Sequence, residues 1–196
     1  MKPFDVALIV GRFQHFHIGH RSLVEHGFKL CDRVLILVGS CQENGTLRNP
    51  YLPSTRIDVI KEIYGPDNSN LIVKELNDST HENDITPDLG KYVLENVERH
   101  IRKKPSLMVY GNDEFRSRWF AAEDLTNTAE LVIPRSTIPI SATLMRDALV
   151  RDDFKYWSQF VDDKTHKMYD RLRSELLATE PYRKMYEDLL SGEKQH

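Results

Sequence analysis

Five short aliphatic runs, separated by longer stretches with helical spacing, constrain this chain more than any other feature. The runs are residues 6–10, 34–38, 71–73, 107–110 and 131–133. Valine, isoleucine and leucine dominate them without polar alternation, as in strands buried on both faces. Residues 21–30, 55–64, 89–101, 115–125 and 142–150 read as helices, with Ser54 or Thr55 capping the second. Residues 77–86 are polar and aperiodic and read as a loop. The alternation predicts an α/β fold: a Rossmann-like parallel sheet with helices on both faces. From Phe154 onward only helical patterns remain, split by Pro181, and residues 192–196 read as frayed. The expected organisation is one domain over residues 1–150, with a C-terminal helical extension over 151–196 packed on it.

Open parallel sheets bind ligands beyond the carboxyl ends of their strands. Gly11, Gly39 and Gly111 all fall at such predicted ends. A single glycine there is an ordinary turn residue, but three at equivalent places point to close approach of a ligand. The first opens Gly11-Arg-Phe-Gln-His-Phe-His-Ile-Gly-His20, a strand-to-helix turn. Such a turn aims backbone N–H groups and the positive end of a helix at one point. His17 and His20 stand there, and imidazole N–H groups donate to phosphate oxygens. His15, His17 and His20 also supply three nitrogens, but no second cluster completes a metal centre and no metal is assigned.

Ile140-Ser-Ala-Thr-Leu-Met-Arg146 forms a second helix start. Ser141 is a good N-cap, and Thr143 and Arg146 lie early in the helix, where a bound anion would sit. A guanidinium grips phosphate with two parallel hydrogen bonds. Neither a GxxxxGK[ST] loop nor a GxGxxG fingerprint occurs, so another device must hold any phosphate.

The remaining composition narrows the class. The formal net charge of −3 argues against a broad basic face for nucleic acid. Cys31 and Cys41 match no zinc or redox spacing and read as reduced thiols. The chain shows no basic-then-apolar leader, and no apolar run approaches the ~20 residues of a membrane span. A soluble, cytoplasmic protein without a membrane or nucleic-acid partner is expected.

His17-Ile-Gly-His20 resembles the HxGH signature of the nucleotidyltransferase superfamily, and Ile140 to Arg146 resembles its ISxTxxR signature. Gly11-Arg-Phe-Gln14, Gly39-Ser-Cys-Gln42, Thr46-Leu-Arg-Asn-Pro50 and Arg56 are similar to the archaeal type of nicotinamide-nucleotide adenylyltransferase. The likeness covers about residues 4–150. It implies transfer of adenylate from ATP to nicotinamide mononucleotide, with Mg²⁺ accompanying the triphosphate. His17, His20 and Arg146 take the catalytic places. Gly11, Arg12, Phe13, Gln14, Gly19, Gly39, Ser40, Gln42, Asn49, Ile140, Ser141 and Thr143 shape the nucleotide pocket, and Gly111-Asn112 meets the adenosine. The superfamily often forms homo-oligomers.

Two positions depart from the family pattern. His15 replaces a proline, and the tryptophan expected near residues 84–92 is absent, with Leu89 near its place. Tyr92, Trp119 and Phe120 are the aromatic residues available instead. A phosphopantetheine adenylyltransferase, a cytidylyltransferase or a non-catalytic nucleotide-binding regulator would share the two main signatures. The GRFQ and GSxQ segments favour the nicotinamide nucleotide.

Overall fold

The computed structural model describes residues 2–79, 87–111, 119–134 and 138–193. Strands β1 (Phe4–Gly11), β2 (Cys31–Val38), β3 (Leu71–Glu75), β4 (Leu107–Gly111) and β5 (Ala129–Ile133) form one sheet in the order β3-β2-β1-β4-β5. Every pairing is parallel, with Phe4 opposite Cys31, Gly11 opposite Val38 and Ala7 opposite Leu107. The chain order reverses between β1 and β4, so the crevice above the end of β1 is the natural ligand position.

Residue parity along β1 decides which core each side chain enters. Ala7 and Ile9 face one layer with Val34 and Ile36, while Val6 and Leu8 face the other with Leu35 and Leu37. Both faces are dry, which explains why the central strands show no polar alternation. Helix α3 (Pro87–Ile101) covers the second face with Val93, Leu94, Val97 and Ile101. Helices α1 (Ile18–Leu30), α2 (Pro53–Tyr64) and α4 (Ala142–Val150) cover the first.

The C-terminal residues enter that same first core. A short α5 (Phe154–Trp157) leads through 3₁₀ turns to α6 (Tyr169–Ala178) and α7 (Glu180–Glu193). Trp157, Leu172, Leu176 and Tyr182 are buried with Ile9, Ile36 and Met145. Glu175 on α6 accepts the Leu52 N–H and the Thr55 hydroxyl, each at 2.7 Å. A carboxylate thus sits at the positive end of α2, which has no side-chain cap of its own. This corrects the expected cap at Ser54 or Thr55, which lie inside the helix.

His15 explains the departure from proline. It is buried, and its Nε2 accepts the indole N–H of Trp157 at 2.9 Å. Burial first, then the neighbouring His17 and Arg146, pushes its pKa down to about 3. The ring is therefore neutral near pH 7, and it joins the turn after β1 to α5.

Three further expectations are revised. Helix α1 starts at Ile18 rather than Arg21, because His17 caps it. Of the helix expected over 115–125, the described part holds a 3₁₀ turn at Ala122–Leu125, preceded by extended backbone at Ala121 (φ −67°, ψ 145°). Helix α7 runs through Gly192, since Leu189 packs on the core and Pro181 sits in the first turn, where proline is tolerated. Residues 194–196 and 112–118 lie outside the described residues.

One close approach on the α3 face depends on a missing side chain. A Cβ built on Gly90 would lie 1.9 Å from the Trp119 carbonyl oxygen. Gly90→Ala should therefore destabilise the protein by about 2 kcal/mol or more, despite a helix-propensity gain of about 1 kcal/mol. Chemical denaturation checks this, and an unchanged or raised stability would contradict the contact.

The His15 account predicts a pH dependence. Between pH 3 and 6.5 the unfolded chain binds a proton at His15 that the native chain refuses. Stability should therefore fall as pH drops through that window, with a slope approaching about 1.4 kcal/mol per pH unit. His15→Gln should remove this component, and an identical pH profile in the variant would refute it.

Candidate active site

The site begins where β1 and β2 end. Phe13 (φ 50°) and Ser40 (φ 51°) both take left-handed backbone conformations that non-glycine residues seldom adopt. Arg56, buried on α2, holds both turns. Its Nη1 donates to the carbonyls of Arg12 and Gly39 at 2.7 Å each, and its Nη2 to Ser40 at 3.3 Å. Burial pushes the pKa of this guanidinium below its ordinary value. Arginine nevertheless stays charged in such a setting, and charge-assisted bonds to backbone oxygens offset much of the desolvation cost.

At the start of α1 the two histidines brace each other. The Gly19 N–H donates to His17 Nδ1 at 3.1 Å, and the His17 N–H donates to His20 Nδ1 at 3.4 Å. The rings stack with centroids 3.9 Å apart. With each Nδ1 accepting, the neutral rings carry their protons on Nε2, which remains a donor. Gly19 makes room for this arrangement. A Cβ there would lie 2.9 Å from His17 Cε1 and 3.7 Å from Ile140 Cγ2. The first turn of α1 carries no acidic residue, so its positive end is not neutralised locally.

Helix α4 supplies the opposite side. Ser141 caps it by accepting the Leu144 N–H at 3.3 Å, and its first turn also lacks acidic residues. Arg146 is buried, not solvated. Its Nη1 donates to the Gln14 carbonyl at 2.9 Å, and its Nη2 to Thr143 Oγ1 at 3.3 Å. Its Nε donates to the Tyr182 hydroxyl at 2.6 Å. The bond to Gln14 joins the two signature segments directly. Gln14 Oε1 in turn accepts the Tyr51 N–H at 3.1 Å.

These elements enclose a cavity of about 410 Å³. Of the expected residues, Gly11, Arg12, Phe13, Gln14, His17 and His20 line it on the β1–α1 side. Gly39 and Ser40 line it from β2, and Ser141, Thr143 and Arg146 from α4. Gly19, Gln42, Asn49, Gly111 and Ile140 stand outside the described wall. Gly19 holds the His17 ring through its N–H, and Ile140 is buried in the core. Gln42 spends its amide on Asp78, donating at 2.7 Å and accepting the Asp78 N–H at 2.9 Å. Asn49 is buried and ties its own loop, donating to Glu43 at 2.9 Å. Gly111 pairs with Ile133 in the sheet. Asn112 lies outside the described residues.

The sequence reading missed several wall residues. Arg48 brings a third guanidinium, beside Arg12 and Arg146. Asp78, from the stretch read as a plain loop, is the only carboxylate in the described wall, and it accepts the Ser40 hydroxyl at 3.1 Å. Leu76, Leu89, Val93 and Trp119 form an apolar part of the wall. Of the three aromatic residues offered in place of the tryptophan, Trp119 lines the cavity, while Phe120 belongs to the α3 core and Tyr92 packs against it. His15 turns toward Trp157, away from the other two histidines' role. Among the described residues, no three His, Cys, Asp or Glu side chains are grouped to hold a metal ion. No helix among them is long and apolar enough to cross a membrane.

The family described as cytidylyltransferase-like matches residues 8–172. A nicotinamide-nucleotide adenylyltransferase of Methanococcus vannielii is 38% identical over 72 residues, 37% of this chain and 42% of that protein. Another, of Saccharolobus solfataricus, is 41% identical over 54 residues, 28% of this chain and 31% of that one. The matched segments span less than half the length of these relatives. A crystal structure from Francisella tularensis is similar over 96% of this chain and 56% of that one, with a TM-score of 0.65 and 19% identity. That protein is a bifunctional NMN adenylyltransferase/ADP ribose pyrophosphatase complexed with AMP and a manganese ion, and at this identity the likeness concerns the fold. Because the family match runs from β1 into α6 and takes in both helix starts around the cavity, the chain belongs to the cytidylyltransferase-like family.

Proposed function

We propose that the chain is an adenylyltransferase that joins ATP to nicotinamide mononucleotide, releasing NAD and pyrophosphate. The observation that carries this reading is the meeting of two acid-free helix starts over one cavity, bridged by Arg146 and the Gln14 carbonyl. The relatives named nicotinamide-nucleotide adenylyltransferase support the acceptor.

In this reading a phosphate oxygen of the mononucleotide attacks the α-phosphorus of ATP, and pyrophosphate leaves in line. The attacking phosphate is already ionised and needs no general base. Positioning and charge stabilisation carry the rate. His17 and His20 donate from Nε2 to the α- and β-phosphates as charge builds. Ser141, Thr143 and Arg146 hold the β- and γ-phosphates at the start of α4, and Arg12 adds a further positive group. Gly39 and Ser40 border the nucleoside. The mononucleotide's planar ring packs on the apolar wall at Trp119.

Mg²⁺ neutralises part of the triphosphate charge when bound. Asp78 already accepts from Ser40 and Gln42, so the cavity suits an ion held by phosphate oxygens and water, not a protein cage.

Pyrophosphate release measured with a panel of acceptors tests the substrate. Nicotinamide mononucleotide should be the preferred acceptor, and activity with phosphopantetheine in its place would reassign the enzyme. His20→Ala should lower kcat/KM by about two orders of magnitude with the circular dichroism spectrum preserved. Near-normal turnover would remove His20 from the proposed role.

A further inference from the structure

The C-terminal helix α7 reaches the site through one atom. The Tyr182 hydroxyl accepts Arg146 Nε–H at 2.6 Å and donates to the Leu47 carbonyl at 2.6 Å. Tyr182 is buried, and its ring lies 5.9 Å from the Arg146 guanidinium carbon. A single hydroxyl thus links the arginine of α4 to the loop that carries Arg48, and both arginines line the cavity.

We infer that Tyr182 is a positioning residue that sets Arg146 and the Leu47–Arg48 loop at the spacing a triphosphate requires. The argument is one of geometry and chemistry. Arg146 can rotate about its long stem, and a guanidinium left free to rotate gives up affinity when it must be fixed on a ligand. Three acceptors hold it here: the Gln14 carbonyl, Thr143 Oγ1 and Tyr182 Oη. The first two engage the Nη atoms, which in the proposed function also meet a phosphate. Tyr182 takes the Nε–H and leaves part of the Nη donor set for the ligand. The tyrosine hydroxyl in turn donates its own hydrogen bond to Leu47 O, so the loop is held by the same contact.

The register of α7 is built for this. Pro181 occupies the first turn, the Tyr182 N–H donates to Thr179 O at 3.1 Å, and the side chain points into the core shared with α4. The C-terminal segment is in this way part of the phosphate site. The inference rests on the reading of the cavity as a triphosphate site.

The test is calorimetric binding of Mg-ATP to the wild-type protein, Tyr182→Phe, Arg146→Ala and the double variant, together with KM for each substrate. Phenylalanine keeps the ring and its packing and removes only the hydroxyl. Tyr182→Phe should weaken ATP binding about tenfold, the scale of a hydrogen bond to a charged group. It should leave KM for the mononucleotide within about twofold, and it should cause no further loss in the Arg146→Ala background, because the two act as one unit. Unchanged ATP affinity in Tyr182→Phe would overturn the inference, as would an equal loss in both backgrounds. Wild-type protein that binds no ATP would overturn the triphosphate reading and this inference together. Should Tyr182→Phe fail to fold, hydrogen exchange at Arg146 Nε–H in the wild type decides. Slow exchange supports the held geometry, and exchange at the rate of a solvated arginine refutes it.

Discussion

The buried guanidinium of Arg56 organises everything above the sheet. It gathers the carbonyls of Arg12, Gly39 and Ser40, which leave the ends of β1 and β2. Those two turns would otherwise be free to relax from the left-handed conformations at Phe13 and Ser40, each of which costs on the order of 1 kcal/mol or more. Strained backbone persists only where its surroundings over-determine it, and here a charged group supplies that constraint. The position of Arg56 depends on α2, and α2 is held by Glu175 of α6 at its N-terminus. A chain of contacts therefore runs from the C-terminal helices through α2 to the floor of the cavity.

In the proposed function, phosphate is bound without a glycine-rich loop. Two helix starts meet, neither of them neutralised by an acidic residue in its own first turn. At one, backbone N–H groups fix the histidine tautomers so that Nε2 carries the proton. At the other, Arg146 is pinned on three sides before any ligand arrives. Donors set in advance need little reorganisation when charge builds on a transferring phosphoryl group, which is the main means of catalysis for this class of reaction. The single carboxylate of the described wall, Asp78, accepts from Ser40 and Gln42 and shares that wall with three guanidiniums, those of Arg12, Arg48 and Arg146.

The sheet was legible because its central strands are dry on both faces, as the run Val6 to Val10 shows directly, while the edge strands β3 and β5 are partly exposed. Gly11 and Gly39 marked the binding edge because strand ends are where the backbone must turn, whereas Gly111 ends β4 without lining the cavity. His17, His20 and Arg146 stood out because they cluster at two helix starts. What sequence could not show depends on distance along the chain. His17 as the cap of α1 was hidden because capping is expected from serine, threonine, aspartate or asparagine. Arg56 shares the helical stripe of Val59, Ile60 and Ile63, the buried side of α2, but only the fold places carbonyls around it. His15 with Trp157, Leu52 with Glu175 and Arg146 with Tyr182 are joined across 36 to 142 residues, and no local pattern announces such pairs. Asp78 lay in a polar loop, where carboxylates are ordinarily solvated.

The central claim is that one triphosphate touches both helix starts at once. Side-chain NMR of the histidine and arginine nitrogens during a titration with Mg-ATP tests it most directly. His17 Nε2, His20 Nε2 and the Arg146 guanidinium should shift together with a single dissociation constant. Histidine signals that move while those of Arg146 stay fixed at saturation, or the reverse, would contradict a shared site.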